Sequence, residues 1–250
     1  MEPEAQTKGI TAMEQQKPFE NPIRILHLLD GARQATGTAV IIDVFRAFSL
    51  EACLLHWGAA CVRPVDSVEQ TLRLHEAFPG SVLIGERGGK KIEGFDFGNS
   101  PSTVPPEAVA GKVVLHTTSA GTQGVIAASG ASELLGGSLL TARATVEYLK
   151  KTQPDSVSLV AMGLAGNRTT EEDELCARYL QALLQNEPFP DLAPGIERLK
   201  ETDGKKFFDP TRQHIFPEQD FWMCVEADRF PFAVRFTKDE WGYLAQKVII

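Results

Sequence analysis

The chain has 250 residues, 43% hydrophobic and 23% charged, ordinary proportions for a globular protein able to bury one large core or two small ones. A formal charge of −8 argues against a general nucleic-acid binder, which presents a basic face, but leaves room for a local basic pocket that takes a small anion. No apolar run is long enough to span a bilayer, and four scattered cysteines without a C-x-x-C pair or zinc-type spacing point to reduced thiols and a cytoplasmic protein with no membrane partner.

Met1 to Glu20 is polar, lacks the apolar stretch of a signal peptide, and reads as a flexible tail over residues 1–20. Ile23 to Leu29 is a first strand, closed by Asp30-Gly31. Thr38 to Val44 is a nearly continuous β-branched run, the mark of a strand buried on both faces, followed by a helix from about Ala47 to Trp57. A strand at Cys61 to Val65 leads to a helix at Val68 to Phe78, with Ser67 as N-cap and Gln70 three residues on. Ser81 to Glu86 is a strand that feeds a glycine-rich stretch through Pro101. After a short helix near Glu107 come a strand at Lys112 to Thr118, a small-residue helix at Gly121 to Ser129, and a short strand at Ser132 to Leu135. A helix at Thr141 to Lys151, a strand at Ser156 to Met162 and an amphipathic helix at Thr170 to Gln185 complete the alternation.

This order predicts an α/β fold, layered α/β/α around a mainly parallel or mixed sheet, over residues 21–186. From 187 to 250 the pattern changes to prolines and an aromatic-rich stretch, read as a C-terminal subdomain, lid or dimer contact. A homo-oligomer is left open.

Ligands in open α/β sheets collect beyond the carboxyl ends of the strands, which here offers four loops. Asp43-Val44-Phe45-Arg46 puts a carboxylate after Ile41-Ile42, costly to bury unless paired or bound to a cation, with helix capping as the alternative. The stretch Ile84 to Pro101 holds five glycines among Glu86, Arg87, Lys90, Lys91, Glu93, Asp96, Asn99 and Ser100. It suits a loop held in one shape to meet an anion or metal, although its lysines could be solvated charges and Asp96 a turn-former. Thr117-Thr118-Ser119-Ala120-Gly121-Thr122 joins a strand to a helix start and could cradle an oxyanion or simply cap. In the fourth, after Gly163, Thr169 could pair with Glu172 in a capping box, whereas helical spacing turns Glu172 and Asp173 toward the apolar stripe of Leu175 and Cys176, and Glu171 and Glu174 outward. Converging carboxylates at ~4 Å repel by about 4 kcal/mol at an effective dielectric of 20, a conflict that a divalent cation resolves; hard oxygen ligands favour Mg²⁺. Arg46, Arg87 and Arg168 would then meet phosphate oxygens. No G-x-x-x-x-G-K-[ST], G-x-S-x-G or strand-following G-x-G-x-x-G is present.

In this order Ile-Ile-Asp-Val-Phe-Arg-Ala, Gly-Glu-Arg-Gly-Gly-Lys-Lys-Ile-Glu-Gly-Phe-Asp-Phe-Gly-Asn-Ser-Pro, the Thr-Thr-Ser-Ala-Gly-Thr loop and Glu-Asp-Glu-Leu-Cys-Ala resemble the 2-phosphosulfolactate phosphatase (ComB-like) family over roughly Thr38 to Leu184. The resemblance implies Mg²⁺-dependent hydrolysis of a phosphate monoester on a small 2-hydroxy carboxylic acid, with 2-phospho-3-sulfolactate, of coenzyme M biosynthesis, as the named substrate. Under that reading Asp43, Glu86 and Asp173 hold the metal, with Glu172 as the competing choice. Asp43, Arg46, Arg87 and Asp173 are the catalytic candidates. Thr117, Thr118, Ser119, Gly121, Thr122, Asn99, Ser100, Lys90 and Arg168 are the substrate-binding candidates, with Lys91 alongside Lys90. The rival expectations are a non-catalytic anion-binding or regulatory protein with the same pocket, and a lyase or transferase.

Overall fold

The computed structural model of the chain describes residues 17–250. The tail expected over residues 1–20 lies outside the described residues as far as residue 16; beyond that, Phe19 is buried and its N–H donates to Leu184 O.

In chain order the elements are β1 (Ile23–His27), α1 (Leu28–Arg33), β2 (Thr38–Ile42), α2 (Ala47–His56), β3 (Cys61–Pro64), α3 (Val68–Ala77), β4 (Val82–Arg87), β5 (Lys90–Lys91), α4 (Pro106–Val109), β6 (Val113–Thr117), α5 (Gly121–Ala127), β7 (Glu133–Gly137), α6 (Ala142–Thr152), β8 (Val157–Ala161), α7 (Glu171–Gln185), α8 (Leu192–Leu199), α9 (Glu218–Val225), β9 (Phe232–Asp239) and β10 (Gly242–Ile249). The α/β reading holds, with a mixed ten-stranded sheet in the order β1-β8-β2-β7-β9-β10-β3-β6-β4-β5. Ser67 caps α3 as expected, accepting from Gln70 N. The first strand is shorter than expected, because the chain turns at Leu28, whose φ is positive, and enters α1.

β1, β8, β2 and β7 run parallel, and so do β3, β6 and β4. Between these groups lies the hairpin β9–β10, antiparallel to β7 on one side and to β3 on the other, so the two groups run in opposite directions. Four strands separate β2 from β6, yet the loop after β2 hydrogen-bonds the loop after β6. The sheet therefore curls around α2, whose residues Ala47 to Leu55 are all buried, as expected of a helix enclosed on every side.

β2 shows how the layers form. All five residues are buried; Ala39 and Ile41 pack with α2, α5 and β9, while Val40 and Ile42 pack with α6, α7 and α9. Strand residues alternate faces, so one apolar run serves two cores, each fully buried Ile contributing about 1.5–3 kcal/mol. On the far group α3 closes a smaller core against Leu83 and Leu115.

The segment 187–250, read from sequence as a subdomain or lid, supplies the two central strands of this sheet and buries Phe207, Phe221, Val234 and Phe236 in the main cores. Deleting residues 232–250 leaves β7 and β3 with unpaired edges in mid-sheet and uncovers Phe48, which packs on Phe236. The expected outcome is loss of cooperative thermal unfolding and of soluble expression; a truncated protein that melts like the full chain would show a dispensable appendage.

Candidate active site

Three carboxylates sew the loops together. Glu86, at the end of β4, accepts from Gly89 N at 2.7 Å and from Ser119 N, in the loop after β6, at 2.8 Å. Asp43, after β2, accepts from Ala47 N at 3.0 Å and from Gly121 N, again after β6, at 2.9 Å. Asp173, in the first turn of α7, accepts from Val44 N and from Gly163 N, after β8, both at 2.8 Å. Each acid thus ties its own loop to a neighbour, and β4, β6, β2 and β8 end in one connected rim. Two glycines make the close approaches feasible. A Cβ on Gly121 would stand 2.9 Å from Asp43 Oδ2, and Gly89, with positive φ, lies against the Phe216 ring.

Behind this rim lies a cavity of about 470 Å³. Its walls carry Asp43, Glu86, Glu172 and Asp173 together with Arg46, Arg168, Lys206 and Arg212. The acids feel one another. Burial pushes Asp43 up to about 6, Glu86 repulsion adds to it, and the Ala47 and Gly121 amides resist. Asp173 is raised well above the carboxylate range by burial, then by Glu172 and by Asp43. Burial lifts Glu172 to about 7 against the pull of Lys206, and its Oε2 is buried without a hydrogen-bond partner. Such a set of clustered acids, with one oxygen unsatisfied, is the electrostatic environment that a cation relieves. Among the described residues, no three His, Cys, Asp or Glu side chains are grouped so that they alone could hold a metal ion. A cation here would take one or two carboxylate oxygens and draw the rest of its shell from water and ligand.

Of the candidates from sequence, the cavity brings together Asp43, Arg46, Glu86, Asn99, Thr118, Ser119, Arg168, Glu172 and Asp173. Arg46 is buried with Nη1 on Asp220 at 2.6 Å and on Ile215 O, its guanidinium over the Phe207 and Phe216 rings. Arg168 pairs with Asp203 at 2.7 Å. Others fall outside the lining. Arg87 is exposed, its side chain turned back onto Glu86 O and Thr117 Oγ1, because successive strand residues face opposite ways and Glu86 holds the inward position. Lys90 is exposed on β5, Lys91 bonds Phe95 O, and Ser100 donates to Asp220. Thr117, Gly121 and Thr122 are buried and outside the lining, and the Thr118, Ser119 and Gly121 amides are turned to Thr122 Oγ1, Glu86 and Asp43. Asp96 accepts from Leu83 N, the turn-forming alternative. The capping box at Thr169 does not form: the N-cap of α7 is Thr170 without a side-chain bond, and Asp203 accepts from Glu171 N instead.

Sequence reasoning missed Lys206, Arg212 and Phe216, which reach the cavity from the irregular stretch before α9. Lys206 Nζ lies 5.4 to 5.7 Å from the centres of Phe45, Phe207 and Phe216 and donates no hydrogen bond among the described residues. The only sequence signal was the Lys-Lys-Phe-Phe run itself.

A carboxyl raised on folding loses stability as pH climbs from its unfolded toward its folded value, from 4.5 to about 7 for Glu172. With a chelator present, Glu172→Gln is expected to match the wild type below pH 4.5 and to exceed it in stability well above pH 7. The gain is on the order of 3 kcal/mol, read from urea unfolding across pH. A variant less stable than wild type at the upper end would show that Glu172 is not an unsatisfied buried charge.

The family model described as 2-phosphosulpholactate phosphatase matches residues 24–232. A protein of Caldicellulosiruptor saccharolyticus named probable 2-phosphosulfolactate phosphatase is 41% identical over 159 residues, 62% of this chain and 64% of that protein, so the chain spans just under two thirds of its length. Proteins of the same name from Thermotoga petrophila (37% identity, 77% of this chain and 86% of that protein) and Bacillus subtilis (28%, 84% and 92%) align over longer stretches. The matched residues run from β1 to the start of β9 and so include every acid and cation of the cavity wall; the chain belongs to the 2-phosphosulpholactate phosphatase family.

Proposed function

We propose that the chain is a Mg²⁺-dependent phosphatase that hydrolyses the phosphate monoester of a small 2-hydroxy carboxylic acid, 2-phosphosulfolactate being the substrate named for its relatives. The observation that carries this reading is the single cavity whose walls set Asp43, Glu86, Glu172 and Asp173 against Arg46, Arg168, Lys206 and Arg212. One or two of Asp43, Glu86, Asp173 and Glu172, the last with a free oxygen, would hold the cation, which would supply charge neutralisation for the phosphoryl oxygens and a more acidic bound water.

The protein's own groups divide the remaining work. Arg46 is fixed between Asp220 and Gly89 O, so its charge stands at the wall with little freedom left to lose when phosphate arrives. Lys206 lacks an anionic hydrogen-bond partner and sits among three rings, in the right state to meet a second acidic group of the substrate. Arg212, exposed at the same wall, would attract multiply charged substrates over neutral ones. Phe45 and Phe216 give the lining apolar rings beside these charges. No helix among the described residues is long and apolar enough to cross a membrane, and four buried, unpaired cysteines are in keeping with a reducing compartment.

Phosphate release from 2-phosphosulfolactate and 2-phospholactate, measured with and without Mg²⁺, tests the reading. Turnover that EDTA abolishes is expected, with kcat in Asp43→Asn lower by on the order of 10²-fold or more. Lys206→Ala is expected to raise KM about tenfold or more for the doubly acidic substrate, the loss of one charge-assisted bond. Release that persists in EDTA would remove the cation from the account, and no release from any small phosphorylated hydroxy acid would leave an anion-binding protein.

A further inference from the structure

Polar groups in α2 stand out because the helix is enclosed on every side. Glu51 lies halfway along it, fully buried, with Oε1 3.0 Å from His116 Nδ1 and Oε2 without a partner. His116, equally buried on β6, has Nε2 3.2 Å from Asn99 Oδ1. Asn99 lines the cavity. The three side chains form a row from the interior of the curl to the wall of the site, and no other side chain hydrogen-bonds Glu51 or His116 among the described residues. A buried acid–imidazole pair is seldom a source of stability, since apolar residues of the same volume commonly do as well, so packing leaves this row unexplained.

We propose that Glu51 and His116 are positioning residues that hold the Asn99 carboxamide with its oxygen inward and its Nδ2 amino group facing the cavity, where it donates to an anionic oxygen of the ligand. The identity of that ligand as a phosphorylated acid rests on the reading above. The chemistry of the row decides the orientation. With Oδ1 accepting, Nε2 carries a proton, and Nδ1 and Glu51 share another, placed on the ring or on a carboxyl that burial raises. Either placement keeps Nε2–H as the donor. Turning the amide over would aim its oxygen at a wall that already presents Asp43, Glu86 and Asp173, acceptor against acceptor. The Asn99 oxygen has no other hydrogen-bond partner among the described residues, so His116 is the group that holds that oxygen inward.

The test reads binding and turnover separately, using calorimetry with inorganic phosphate and Mg²⁺ beside steady-state kinetics. Asn99→Ala is expected to weaken phosphate binding and raise KM about tenfold or more, with a smaller effect on kcat, and Asn99→Asp to do so more strongly because an acceptor then replaces the donor. His116→Leu should reproduce the Asn99→Ala loss and add nothing to it in the double variant. His116→Gln, which retains a donor, should recover part of that loss. A row that serves stability alone would lower the melting temperature and leave phosphate affinity and KM unmoved. Asn99→Asp binding phosphate as tightly as the wild type, or His116→Leu and Asn99→Ala multiplying in full, would overturn the proposal. Should His116→Leu fail to fold, the Asn99→Asp result alone decides it. Phosphate binding that responds to these variants in a protein that hydrolyses nothing would sink the phosphatase reading and leave this arrangement standing; normal hydrolysis in Asn99→Asp would do the reverse.

Discussion

Backbone amides that grip carboxylates hold this site open. Asp43, Glu86 and Asp173 each take two N–H groups from two different places in the chain, so the loops after β2, β4, β6 and β8 are fixed by the same charges that line the cavity. The arrangement contains a conflict. Amide donors favour the ionised acids, whereas burial and mutual repulsion oppose ionisation and raise Asp43 and Asp173. Removing one acid therefore both frees a loop and changes the charge that its neighbours feel.

The curled sheet explains how such a rim arises. In a flat sheet, opposed strand groups would send their carboxyl ends to opposite edges. Here the β9–β10 hairpin joins the groups and α2 fills the bend, so Gly121 after β6 comes within 2.9 Å of Asp43 after β2. The segment before α9 then closes the open side. Asp220, in the first turn of α9, holds Arg46 and accepts from Ser100 Oγ and Ser102 N, binding that helix both to the loop after β2 and to the end of the glycine-rich stretch. Asp203 does the same for α7.

Much of this was legible in local pattern. The β-branched run at Thr38 to Val44 announced a strand covered on both faces, and helical spacing turned Glu172 and Asp173 inward, where both are buried. The glycine-rich stretch was legible as a shaped loop, but not the alternation that sends Arg87 outward beside an inward Glu86. Lys206 and Arg212 belong to a segment without periodicity, placed only by long-range packing on Phe45, Phe207 and Phe216. Phe232 to Asp239 mixes apolar residues with Arg235 and Lys238, which gives no hint of a central strand; its place is set by pairing with β7, nearly a hundred residues upstream. Glu51 was hidden for a related reason, since its partner His116 is 65 residues away.

Acids that repel one another share one cavity wall with Arg46, Arg168, Lys206 and Arg212, the setting proposed for a cation and an oxyanion. Thermal unfolding of the intact protein with Mg²⁺, with inorganic phosphate and with both measures that most directly, because a ligand that binds only the folded state raises its stability. Together the two should raise the melting temperature by more than the sum of their separate effects, and the excess should vanish in Asp43→Asn and Asp173→Asn. No shift with either ligand, or an undiminished shift in both variants, would contradict it.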